Sequence, residues 1–126
     1  MKILALLAGG AIGTLLRYSL SGWTYKHFEE VFPWGTLVVN LVSAFAVGFL
    51  WELFERWVVS PNMRTFVFIG ILGGFSTFSA YVMETANLAR DGETALAFSN
   101  IIISNVLGLV LVYLGIIAAR YLLRFV

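Results

Sequence analysis

Uncharged apolar runs about as long as a membrane crossing recur four times along the chain, and the charged residues gather between them. The first extends from Ile3 to about Tyr25, interrupted only by Arg17, and the second from about Phe32 to Trp51. The third extends from Thr65 to Met83 and beyond, and the fourth from Thr94 to Ala119. A hydrocarbon core about 30 Å thick takes roughly 20 helical residues to cross, so each run predicts one transmembrane helix. The expected helices cover about 3–25, 32–57, 65–89 and 94–123 of a single domain over residues 1–126, with connectors near 26–31, 57–64 and 90–93. The predicted class is an all-α integral membrane protein of four transmembrane helices.

Aromatic and proline positions agree with this partition. Trp23, Tyr25 and Trp34 flank the first connector, while Trp51, Trp57 and Tyr121 mark the opposite side, where amphipathic rings suit the membrane–water interface. Tyr18, Tyr81 and Tyr113 fall inside spans and call for hydrogen-bond partners at depth. Pro33 and Pro61 stand at span boundaries. Met1-Lys2 before an apolar stretch resembles a secretory signal, but no A-x-A pattern closes it, so a retained first helix is expected.

Composition narrows the function classes. Of 126 residues, 60% are hydrophobic and 12% charged, too few charges to cover a water-exposed surface. A net charge of +1 offers no basic field for nucleic acid. Without cysteine, and with one histidine, thiolate and histidine-based metal chemistry is unsupported, and no nucleophile, base and orienter set marks an enzyme. An even number of spans puts Lys2, Arg56, Arg64, Arg120 and Arg124 on one side and Arg17, Lys26 and Arg90 on or toward the other. This 5-to-3 split leans only modestly toward termini inside and leaves dual topology open.

Several residues are out of place in a purely lipid-facing helix. The third span carries Gly70, Gly73, Gly74, Phe75, Ser76, Thr77, Phe78 and Ser79, a run of poor helix propensity near its middle, and a break is predicted there. Backbone groups freed at that depth must meet protein, water or an ion. Arg17 lies about 21 Å along the first helix from Ile3 at 1.5 Å per residue. It either faces a watery cavity or snorkels toward headgroups. Thr36, Asn40 and Ser43 form a polar stripe at i, i+4 and i+7, suited to helix–helix hydrogen bonding or to lining a water path. Ser104, Asn105 and Gly108 repeat that ambiguity in the fourth span. Glu84, late in the third, reads as an interfacial or structural hydrogen-bonding carboxylate. Phe75, Phe78 and Tyr81 recur every three residues beside the expected break, and their ring edges carry partial positive charge. One arginine, amide and hydroxyl donors, ring edges and no acid at the centre favour an anion.

The segments Gly9-Gly10-Ala11-Ile12-Gly13 running to Arg17, Gly35-Thr36-Leu37-Val38-Val39-Asn40 and Gly73-Gly74-Phe75-Ser76-Thr77-Phe78-Ser79 resemble those of the Fluc (CrcB-type) fluoride channels. The resemblance extends over essentially the whole chain. It implies an antiparallel dual-topology dimer that exports toxic fluoride passively across the bacterial inner membrane through two pores, with strong selectivity over chloride. Asn40 matches the pore asparagine, Arg17 the vestibule arginine, and Phe78 with Tyr81 the fluoride-contacting aromatic pair. Thr77 and Ser79 match the hydroxyl-bearing segment, with Ser104 a looser candidate. The carbonyls of Gly73 and Ser76 match those that hold a structural sodium ion on the dimer axis. The implied partners are fluoride, the lipid bilayer, and a second copy of the chain or a paralogous subunit, with no nucleic acid. A proton-coupled exporter of the small multidrug-resistance type is the alternative four-helix reading, but it needs a membrane-embedded glutamate in the first helix, where this chain has Arg17.

The chain departs from the resemblance at Tyr81, where phenylalanine is usual. Its ring edge is retained, so the native protein is expected to conduct fluoride at an altered rate. A fluoride electrode on protein-loaded liposomes checks this: absent efflux that Tyr81→Phe restores would overturn it.

Overall fold

In a computed structural model the chain is described over residues 1–28 and 31–125. Glu29 and Glu30, within the predicted first connector, lie outside the described residues, as does Val126. Helix α1 covers Lys2–His27 and α2 Trp34–Arg56. The third span is assembled in pieces: a short α3 over Pro61–Arg64, a π-helical stretch over Thr65–Leu72, α4 over Gly73–Phe75, and α5 over Phe78–Arg90. Helix α6 covers Thr94–Leu122. Four helical spans are long and apolar enough to cross a membrane, and the described residues contain no strand.

Local chemistry sets the ends. Pro61 begins α3 behind Ser60, whose hydroxyl accepts from the Met63 amide at 3.3 Å. The third span thus starts inside the predicted 57–64 connector. At the far end Gly92 takes φ +86°, which lets the Glu93 amide reach the Leu88 carbonyl at 2.8 Å and the Gly92 amide reach Ala89 at 3.3 Å. That pair of bonds quenches the last carbonyls of α5 and reverses the chain into α6.

Few large apolar side chains are buried. Val39 and Ala119 are fully enclosed, whereas Ile3, Leu15, Leu109 and Ile117 stand open on the helix faces. Lipid solvates such faces as well as protein does, so close helix approach rather than water exclusion must hold the spans together. Two glycine seams allow that approach. On α1, a Cβ at Gly9 would meet the Phe66 carbonyl oxygen at 2.5 Å, and one at Gly13 would run into the Ile71 carbonyl and come within 2.9 Å of the Phe75 nitrogen. Between α2 and α6, a Cβ at Gly48 would collide with Val112 backbone, and one at Gly115 would stand 2.8 Å from the Phe49 nitrogen. The two pairs of elements in most extensive contact are α2 with α6 and α1 with the π-helical stretch. Polar ties reinforce the ends: Glu52 accepts from Arg120 Nε at 3.1 Å and Nη2 at 3.3 Å, linking α2 to α6, and Arg64 donates to the Phe54 carbonyl.

These seams predict a contrast. Gly13→Ala forces backbone apart and should destabilise the protein by about 1–3 kcal/mol or more, whereas Gly10→Ala, with nothing within 4 Å of the added carbon, should be tolerated. Thermal loss of monodisperse protein in detergent, compared between the two variants, checks it.

Candidate functional site

The third span leaves the helical conformation at Ser76 and Thr77, whose φ/ψ values of −73°/158° and −147°/112° are extended. The predicted break is therefore present, and neighbouring residues take over part of its hydrogen bonding. Asn40 on α2 donates from Nδ2 to the Thr77 carbonyl at 3.0 Å and accepts the Thr77 amide on Oδ1 at 2.8 Å. A single side-chain amide thus satisfies both backbone groups of one residue. Thr77 also caps α5, its hydroxyl accepting from the Ala80 amide at 3.3 Å, and the Ser76 hydroxyl returns to the Leu72 carbonyl at 3.0 Å.

This arrangement diverts helical donors from carbonyls before the break, those of Gly73 and Ser76 among them. The Gly73 carbonyl would take the Thr77 amide, which goes to Asn40, and the Ser76 carbonyl would take the Ala80 amide, which goes to the Thr77 hydroxyl. Carbonyl oxygens that lose their helical donors inside a membrane span need another partner in protein, water or an ion. Gly73, Phe78 and Ser79 are exposed beside the break, Phe78 to 77%, on a chain whose surroundings are apolar.

Thr77 lines two cavities. One of about 490 Å³ opens toward the first-connector side and is lined by Arg17, Tyr25, Thr36, Thr77 and Glu84 among others. The other, of about 340 Å³, is lined by Asn40, Ser43, Ser76, Thr77 and Phe78. The structure thus brings Arg17 and Thr77 to one cavity and Asn40, Thr77 and Phe78 to the other. The polar stripe of α2 turns inward, with Thr36 and Ser43 buried. Its first member donates to Glu84 Oε1 at 2.8 Å, and the Tyr25 hydroxyl approaches the same oxygen at 3.4 Å. Glu84 therefore takes the structural hydrogen bonds expected of it and also lines the Arg17 cavity.

The remaining candidates lie elsewhere. Tyr81 packs 5.7 Å from Phe78, ring centre to ring centre, yet lines a separate apolar groove of about 380 Å³ between α5 and α6. Its hydroxyl accepts from Asn105 Nδ2 at 3.3 Å. Ser104 donates to Asn100 Oδ1 at 3.2 Å, Asn100 to the Thr85 hydroxyl at 2.8 Å, and Thr85 to the Tyr81 carbonyl at 2.7 Å. Ser104 thus belongs to a polar tie between α5 and α6 rather than to the Asn40 cavity. Asn100, only 2% exposed, anchors that tie and was missed by the sequence reading. The signal that would have found it is an asparagine inside an apolar span. The π-helical stretch was also missed, its apolar composition giving no cue.

A family profile described as "CrcB-like protein, Camphor Resistance (CrcB)" matches residues 4–116. The "Fluoride-specific ion channel FluC" of Parabacteroides distasonis is 40% identical over 126 residues, covering 100% of this chain and 98% of that one. The protein of the same description from Desulforapulum autotrophicum is 46% identical over 120 residues, covering 94% and 96% of the two chains. That from Opitutus terrae is 49% identical over 114 residues, covering 88% and 86%.

Removing the Asn40 clasp should be costly. Asn40→Ala leaves the Thr77 N–H and C=O unpaired, at about 1–3 kcal/mol for each group. The variant should lose its folded form in detergent at a clearly lower temperature than Ser43→Ala, which breaks no bond to the extended segment.

Proposed function

The chain belongs to the CrcB-like family, and from that premise we propose that it is a fluoride-selective channel giving passive export of fluoride across the membrane. It is an integral protein of the bacterial plasma membrane and an ion channel rather than an enzyme. The observation that carries the reading is the extended Ser76–Thr77 segment, held by Asn40 and lining two cavities through Thr77.

The residues suit a small, strongly hydrated anion. Arg17 supplies positive charge in the wider cavity, and hydroxyls there can replace part of the lost hydration. The second cavity offers the Asn40 amide, the Ser43 and Ser76 hydroxyls and the Phe78 ring beside apolar side chains. An aromatic edge presents a partial positive charge without a competing acceptor, which favours an anion over water and over a cation. The Asn105 bond to Tyr81 occupies an acceptor site on the tyrosine oxygen and leaves its proton available as a further donor.

The exposed face around Gly73, Phe78 and Ser79 supports pairing with a second, antiparallel copy, each subunit contributing to two pores. The Gly73 and Ser76 carbonyls of both subunits would hold a structural sodium ion, whose positive charge eases the approach of anions. A paralogous subunit offering the same segment would serve equally.

Purified protein in liposomes is expected to release fluoride under its own gradient, without a proton gradient and far faster than chloride, as read with ion-selective electrodes. Asn40→Asp retains the acceptor for the Thr77 amide but loses the donor and sets a carboxylate beside the Thr77 carbonyl. Efflux should fall by about two orders of magnitude, equivalent to roughly 2.7 kcal/mol. Unchanged efflux in this variant would remove Asn40 from the pathway. In detergent, a scattering mass near twice 14.0 kDa checks the pairing.

A further inference from the structure

The wider cavity contains two opposite charges, and a channel for anions can use only one of them. Arg17 and Glu84 both line it, yet among the described residues Arg17 forms no ion pair. Glu84 is held instead by two donors on the same oxygen, the Thr36 hydroxyl at 2.8 Å and the Tyr25 hydroxyl at 3.4 Å, while Oε2 is buried without a partner. A carboxylate released from these donors would be drawn to the guanidinium, because charge-assisted pairing is strong where water is scarce. That pairing would neutralise the cation available to an entering anion.

We propose that Tyr25 is a positioning residue that withholds the Glu84 carboxylate from Arg17 and so keeps the arginine charge free for the permeating anion. The backbone is shaped for this contact. A Cβ at Gly35 would collide with the Tyr25 ring, standing 2.7 Å from its Cζ, and would lie 2.6 Å from Ser21 Oγ. Glycine at this position lets the ring lie against the start of α2, within reach of a carboxylate 59 residues away in sequence. The next residue, Thr36, provides the shorter bond to the same oxygen. Thus α1, α2 and α5 converge on one carboxylate oxygen, in the cavity that Arg17 also lines. This inference rests on the fluoride-channel reading, since it concerns which charge an anion meets.

The test measures fluoride efflux from liposomes over a range of fluoride concentrations and ionic strengths, for wild type, Tyr25→Phe, Glu84→Gln and the double variant. Tyr25→Phe removes one hydroxyl and should raise the half-saturating fluoride concentration about tenfold at low ionic strength, with the defect shrinking as salt screens the charges. In the double variant the neutral side chain has no charge to pair with Arg17, so half-saturation should return to that of Glu84→Gln alone. Wild-type half-saturation in Tyr25→Phe would overturn the inference. An equal Tyr25→Phe defect with glutamate or glutamine at 84 would also overturn it, because the residue would then act on packing. Wild-type liposomes that release no fluoride would overturn the channel reading itself, and this inference with it.

Discussion

A peptide chain can leave the helical conformation inside a bilayer only if something else takes over its hydrogen bonds, and here that duty falls to one asparagine amide. The Asn40 side chain grips both the N–H and the C=O of Thr77, and the Thr77 hydroxyl in turn caps the helix that follows. Each group would cost several kcal/mol if bared to hydrocarbon, so the extended segment and its partner on α2 stand or fall together. The same exchange of partners diverts the two amides that a continuous helix would give to the carbonyls of Gly73 and Ser76. One clasp therefore supports the break at the place where it occurs.

Around that point the helices are held by contact rather than by exclusion of water. Backbone meets backbone where Gly9 and Gly13 face the third span and where Gly48 and Gly115 face each other's helices. Dispersion at such short range is available only where side chains are absent. The π-helical stretch before the break lies along the first of these seams, so the irregular part of the third span is the part most closely supported by α1.

Polar residues divide into two systems with different tasks. On the first-connector side, Arg17, Tyr25, Thr36 and Glu84 line one cavity that holds both a basic and an acidic side chain. Between α5 and α6, Ser104, Asn100 and Thr85 form a continuous tie ending on the Tyr81 carbonyl. Only the first system is contiguous with the break, through Thr77. Hydroxyls and amides of the same kind thus line a cavity in one place and hold helices together in another.

The sequence alone determined the four spans, because a membrane imposes a length and an apolarity that a linear pattern records directly. It also determined that the third span fails near its middle, since glycines and hydroxyls there weaken the helix locally. Tertiary structure decided which polar groups meet. Spacing placed Thr36, Asn40 and Ser43 on one face of α2, but only packing turned that face toward Thr77 and Glu84, and only packing sent Ser104 to Asn100. Spacing along a helix fixes the face a residue occupies but says nothing of the rotation of that helix against its neighbours. That rotation is set here by glycine contacts between residues far apart in the chain, which also brought Tyr25 and Glu84 together across 59 positions.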